Sequence, residues 1–509
     1  MLRNKNILLS RWAALIFSSL LLMSLMISSC SKDFTSAKSA LQGAPTGTDF
    51  WANADAATAA RAVNAIYANL RTWNNVAFAA ICVENMGSDD AIKGSVATDA
   101  TYINEYDNFT VDASEGQLDG FWTAQYQNIN LCNQVLANVP AISMDASLKS
   151  RYEGEAKFIR AWSYFRLVRA FGNIPLIMKL PQTAEELNPK QSTAAEVYAA
   201  IDQDLTEAAG LLPATYGAAD VGRATKGAAL SLHAKVDMYE AGKDASKWQN
   251  VLDYTNSVIQ SGVYSLYPDY YAMFRIRGEN CSESIFEVQC NYVAGNSDIS
   301  NSQYAQVQGN RETNAGWGFN VPTTDLLNAF EPGDPRLAAT IMRAGVTTPD
   351  GDVVPPPSAG APTMYNMKAY VPFTLAVATN QGADQNVRVL RYADVLLMNA
   401  EANNELGHAA DALTSLEKVR ARARAKSANP TVDLPKITTT DKDQLRKAIY
   451  HERRVELAME NDRYFDVIRQ GRAATIFGPL GWVAKDSIWP IPQAEIDNSG
   501  GILVQNAGW

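Results

Sequence analysis

Few cysteines, few histidines and a deficit of basic charge set the first limits on this chain of 509 residues. Cys30, Cys82, Cys132, Cys281 and Cys290 include no Cys-x-x-Cys pair, so zinc-type clustering is missing from the sequence. The three histidines, His233, His408 and His451, fall in separate segments and read as surface or core residues rather than ligands. His451-Glu452 opens like a zinc-protease helix, but Val455 stands where the second histidine is needed. There is no Gly-x-x-x-x-Gly-Lys phosphate loop, and Gly316-Trp317-Gly318 meets Val321 in place of the third glycine of a dinucleotide fingerprint. Gly295-Asn296-Ser297-Asp298 fails as a nucleophile elbow because Ile299 replaces the closing glycine. With 44 Lys+Arg against 54 Asp+Glu, the formal net charge is −10, which disfavours nucleic acid, whose affinity depends on clustered cations. Nothing in the sequence implies a cofactor or a metal.

A glycosidase needs only two carboxylates some 5–10 Å apart, a pairing that sequence does not reveal. The adjacent Asp89 and Asp90 are the tempting pair. Neighbouring side chains seldom converge on one atom, so they read instead as a solvated or calcium-friendly turn after Gly87-Ser88.

What is present begins at the amino terminus. Arg3, Lys5 and Arg11 precede an apolar run from Ala13 to Ile27, interrupted by Ser18, Ser19 and Ser24 and closed by Ser28-Ser29-Cys30. That run is short for a bilayer span, which takes about 20 predominantly apolar residues. The segment resembles a bacterial lipobox, in which Cys30 would become the first residue of the mature protein and carry the acyl chains. An uncleaved anchor helix is the alternative. Ser31-Lys32-Asp33 is similar to the polar, acidic tags that send Bacteroidetes lipoproteins to the cell surface. Residues 1–29 are therefore read as a signal peptide, and the Ser, Thr, Ala, Gly and Lys stretch over 30–49 as a flexible tether. The hydrophobic content of 47% supports a large core in the remainder. In an exported protein Cys281 and Cys290 can pair as a disulfide, and free buried thiols are the equal alternative.

Apolar spacing predicts helices over Ala56–Leu70, Gln117–Asn138, Leu148–Phe171, Ala194–Leu212, Lys226–Ala241, Ala245–Ser261, Arg388–Leu406, Ala409–Ala425 and Asp441–Glu460. Short links such as Gly407 imply antiparallel neighbours. Asp441 with Gln444 predicts a capping box at the last of these. The expected fold is mainly α, a scaffold of tetratricopeptide-like helical hairpins with long irregular loops and a few short strands, although no clean repeat period is present. The helical region over 50–261 and the region over 262–509 are expected to form one intimate unit. Between about Gly262 and Asn386 the texture turns to Gly, Pro, Asn and aromatics, with β-prone pieces such as Ile285–Gln289; long ordered loops on a rigid scaffold are where binding groups sit.

Several stretches agree, in order, with one family. They are Glu155-Ala156-Lys157-Phe158-Ile159-Arg160-Ala161-Trp162 running to Gly172-Asn173-Ile174-Pro175, Ser284-Ile285-Phe286-Glu287-Val288-Gln289, and Thr324-Asp325-Leu326-Leu327 with Gly333-Asp334-Pro335-Arg336. Arg391-Tyr392-Ala393-Asp394-Val395-Leu396, Glu452-Arg453-Arg454-Val455-Glu456, Arg463-Tyr464-Phe465-Asp466, Trp489-Pro490-Ile491-Pro492 and the closing Gln505-Asn506-Ala507-Gly508-Trp509 complete the series. With the lipobox, this order resembles the SusD/RagB family of Bacteroidetes outer-membrane lipoproteins. Read physically, Glu452, Arg453, Arg454, Glu456, Arg463 and Asp466 are scaffold, an ion network around a helix end. The resemblance implies a non-enzymatic outer-membrane protein, lipid-anchored and facing the exterior, that acts as a lid on a SusC-like TonB-dependent barrel and captures oligosaccharide for import. Some relatives take peptides, which keeps a peptide ligand as the alternative, with a surface glycosidase as a third reading.

Sugar rings are apolar on one face and ringed by hydroxyls, so a glycan site needs aromatic platforms beside polar side chains. The candidates are Trp73, Tyr102 and Tyr106, then Tyr292, Arg311, Asn314, Trp317 and Phe319 in the central region. Trp317 leads, since Gly316 and Gly318 permit close backbone approach and Arg311 and Asn314 supply hydrogen bonds. Trp162, Tyr164 and Phe165 lie on a patterned helix and are expected to pack in the core.

Overall fold

The computed structural model describes residues 50–291, 303–313, 315–375 and 383–509. Residues 55–509 form one compact unit. The predicted signal peptide, Cys30 and the tether lie outside the described residues.

Among the described residues, nine helices of 14 residues or more carry the architecture: α1 (Ala56–Leu70), α2 (Gly116–Asn138), α3 (Ala146–Phe171), α4 (Ala194–Leu211), α5 (Lys226–Glu240), α6 (Lys247–Gln260), α7 (Tyr392–Glu405), α8 (Ala409–Arg424) and α9 (Lys442–Leu457). Each packs on the next from α1 through α8, and α9 lies on α7, so helical hairpins stack as in a solenoid. The fold is mainly α, as the periodicity predicts. Helix starts are set by side-chain caps: Asp55, Asp145, Thr193, Thr225 and Asp441 each accept a backbone N–H of the first turn. At α9 the predicted box is only half formed. Asp441 accepts from the Gln444 N–H at 2.9 Å, but the Gln444 side chain takes the Thr439 hydroxyl, which itself accepts from the Asp441 N–H. Trp162 is buried on α3, 7% exposed, with Phe286 edge-on at 6.0 Å and the Arg166 guanidinium over its ring.

The stretch over 388–391 is strand rather than helix. Its backbone belongs to β6 (Val387–Arg391), which pairs antiparallel with β2 (Ser284–Val288), and the helix begins only at Tyr392. Two further ladders lie in the central region: β1 (Ala91–Gly94) with β3 (Phe319–Pro322), and β4 (Ile341–Arg343) with β5 (Met364–Asn366). Cys281 and Cys290 are free thiols.

Asp89 and Asp90 are not a solvated turn. Both are buried, Asp89 held by Arg463 at 2.7 Å and Asp90 by Arg454 at 2.8 Å. They belong to a buried ion network that ties the central region to the helices. Glu456 on α9 faces Arg336, Arg391 and Arg422, while Glu452 faces Arg336 and Arg420. Arg453 joins Asp394 to Asp466. The guanidinium groups hold Glu456 well below the usual carboxylate range against a burial that acts the other way. The scaffold reading of these charges agrees with the structure.

Candidate functional site

The site is built where the end of α1 meets the central region. After α1, Trp73 opens a short helix, Trp73–Val76, and stands half-buried. β1 and β3 pair with Ile92 opposite Val321 and Gly94 opposite Phe319, which carries Trp317, just before β3, toward the same place. The two indoles meet with ring centroids 5.5 Å apart and planes inclined by 56°. Behind them the rings continue inward: Trp73 lies 5.4 Å from Phe78, and Phe78 stands edge-on to Phe319 at 5.0 Å. Phe319 is 4% exposed, so it supports the platform from below and presents no face to a ligand.

Gly316 and Gly318 prove necessary, for a reason other than ligand approach. A Cβ on Gly316 would fall 2.4 Å from the Gly309 Cα, and Gly318 has φ +74° with the Arg311 side chain against it. These glycines let the backbone fold on itself and turn the Trp317 indole outward. The Trp317 backbone N–H donates to the Gln306 carbonyl at 2.8 Å, fixing the turn.

Arg311 supplies the polar edge. One guanidinium nitrogen reaches the Ser95 hydroxyl at 2.7 Å, Asp99 at 2.8 Å and the Trp317 carbonyl at 3.1 Å. The loop that carries Ser95 and Asp99 is pinned by Lys93, whose ammonium donates to the Val96 and Asp99 carbonyls. Below it, Asp107 accepts two bonds from the Lys93 N–H, and burial pushes its carboxyl up to about 7. Tyr102 is 43% exposed, beside Gln117 at the start of α2. On the same first turns, Gly120 packs beneath the side chain of Asn74, the neighbour of Trp73.

Thus Trp73, Trp317, Arg311 and Tyr102 remain as surface groups, and the first three are brought together. Tyr106 is not available: it is fully buried, bonded to Glu115 and 5.4 Å from Trp489. Tyr292 and Asn314 lie outside the described residues. Sequence reasoning passed over Ser95 and Asp99, which carry no motif and gain meaning only from the Arg311 side chain that they hold. An inclined pair of indoles edged by a fixed guanidinium and a carboxylate can stack two sugar rings and bond their hydroxyls.

Fold and site together define a helical-hairpin scaffold that carries a pair of half-buried indoles beside an irregular central region. A family model described as "SusD family" matches residues 282–481, and one described as "Starch-binding associating with outer membrane" matches residues 51–238. A solved laminarin binding SusD-like protein is 30% identical with a TM-score of 0.73, the alignment covering 89% of this chain and all of that one. The chain belongs to the SusD family. The surface glycan-binding protein A of Bacteroides thetaiotaomicron, solved in complex with laminarihexaose, is 25% identical with a TM-score of 0.73 over 89% of this chain and 100% of that one. SusD-like protein P2 of Formosa agariphila is 27% identical over 431 residues, 80% of this chain and 83% of that protein.

Proposed function

We propose that this protein captures oligosaccharide on the Trp73–Trp317 platform and passes it to a SusC-like TonB-dependent barrel, without cleaving it. The observation that carries this reading is the indole pair itself. Two faces inclined by 56° suit a chain that curves from one residue to the next, and β-1,3-linked glucose curves where β-1,4-linked glucose runs straight. The laminarin- and laminarihexaose-binding neighbours support the same ligand class. Capture by an anchored receptor also fits Cys30 as the lipid attachment site and an outward-facing position on the outer membrane. Asp89 and Asp90, engaged by Arg463 and Arg454, are poorly placed to act as acid and base.

Trp317→Ala and Trp73→Ala should each weaken binding of a β-1,3-glucan hexasaccharide by about 1–3 kcal/mol, roughly ten- to a hundredfold, with folding unchanged. Trp162→Ala is the contrast, costing about 3–5 kcal/mol of stability as a core cavity. Calorimetric titration against β-1,3- and β-1,4-glucan oligosaccharides and a peptide library, with thermal melts, separates the readings. Wild-type affinity in Trp317→Ala, or binding of peptides alone, would overturn the platform.

A further inference from the structure

The hairpins away from the platform hold a second cluster of chemistry. On α5, His233, Asp237 and Glu240 stand at i, i+4 and i+7 and so share one helical stripe. Asp202 comes from α4 and Lys247 from the start of α6. Asp202, His233 and Asp237 each offer a ligand atom, and these atoms all lie within 4.8 Å of one another. The His233 Nε2 is 3.4 Å from Asp202, and the imidazole is stacked on Tyr254 at 4.1 Å, which holds the ring in place.

Lys247 fills the middle. Its ammonium lies 2.8 Å from Asp237, 2.9 Å from Glu240 and 3.0 Å from Asp202. Three carboxylates thus converge on one unit of positive charge, leaving the cluster short of cation. The shortfall shows in the bonding: Asp237 is fully buried, yet its Oδ2 has no hydrogen-bond partner, and neither has the Nδ1 of His233, which is 3% exposed. A fully buried carboxylate oxygen left unbonded beside an ammonium that three carboxylates already surround, with an imidazole nitrogen facing one of those carboxylates, leaves donor capacity for a further cation.

We propose that Asp202, His233, Asp237 and Glu240 form a binding site for a divalent cation of the zinc class, with Lys247 holding its place as an internal ammonium that swings outward when metal enters. One imidazole with carboxylate oxygens is a donor set for Zn²⁺ in tetrahedral coordination; Ca²⁺ and Mg²⁺ prefer oxygen alone. The Lys247 side chain is 19% exposed, so its stem already reaches the surface and gives it a way out. A bound ion would cross-link α4 and α5. The site is independent of the glycan platform.

The test is zinc binding by the purified protein after dialysis against a chelator. Thermal melts with and without Zn²⁺ should show a rise of about 3 °C at saturating metal, with one ion per chain by atomic absorption, and no rise with Ca²⁺ or Mg²⁺. His408→Ala, which alters an exposed histidine, should keep the full response, whereas His233→Ala should lose it. Lys247→Ala removes the competing ammonium and should bind Zn²⁺ about tenfold more tightly in competition with a chromophoric chelator. That competition also reads His233→Ala if its melt is perturbed. No stoichiometric zinc in the wild type, binding confined to Lys247→Ala, or equal binding by His233→Ala would each overturn the site.

Discussion

Asp107 is a carboxyl whose surroundings set a pH response. Its folded value, about 7, stands above the unfolded value, so between roughly pH 4 and 7 the folded state keeps a proton that the unfolded state has released. That difference favours folding at the acid end and is lost as the pH rises through 7. Asp107→Asn, which stays neutral, should therefore melt above wild type at about pH 8, with the gap narrowing as the pH falls and closing only below about pH 4, a comparison that thermal scans across this range decide. At this scale the sequence was uneven in what it disclosed. Trp73, Trp317 and Arg311 were recognisable as aromatic or polar groups in irregular segments. Tyr106 has the same local texture and is core, because burial is decided by Trp489 and Glu115, which its own neighbourhood does not announce.

Among the elements, helices were legible to within a few residues because their apolar spacing and caps are local. β6 was not, because Val387–Arg391 continues an apolar pattern into α7, and only pairing with β2, far away in the chain, makes it strand. Nor does any local pattern show that the ends of α1 and β3 bring two tryptophans into contact. The junction of β6 and α7 carries the clearest energetic consequence. Arg391 bonds the buried Glu283 at 2.9 Å and Glu456 at 2.6 Å, and the partly buried Glu460 at 2.7 Å. Removing one member of such a set strands the others, so Arg391→Ala should cost about 3–5 kcal/mol in chemical denaturation. Lys179→Ala, at an ion pair whose lysine is 72% exposed, should stay within about 0.5 kcal/mol of wild type.

For the whole molecule, the anchor, the scaffold and the platform make one testable device. If Cys30 is acylated, the wild type should incorporate a fatty-acid analogue and sediment with outer membrane, and mild detergent extraction should bring a large β-barrel with it. Cys30→Ala should show neither label nor sedimentation while binding glycan in solution with wild-type affinity. Acyl labelling of that variant would remove the lipobox reading, and a lone monomer from native membranes would remove the barrel.

The stacked rings from Phe319 through Phe78 to Trp73 and Trp317 divide their labour by depth. The inner two belong to the folded interior and the outer two, half-buried, stand at its edge, so a change in the outer pair disturbs the fold less than a change beneath. If the outer pair holds sugar as proposed, a lineage that meets a new polysaccharide can alter its diet by a few substitutions there, while the same body goes on folding.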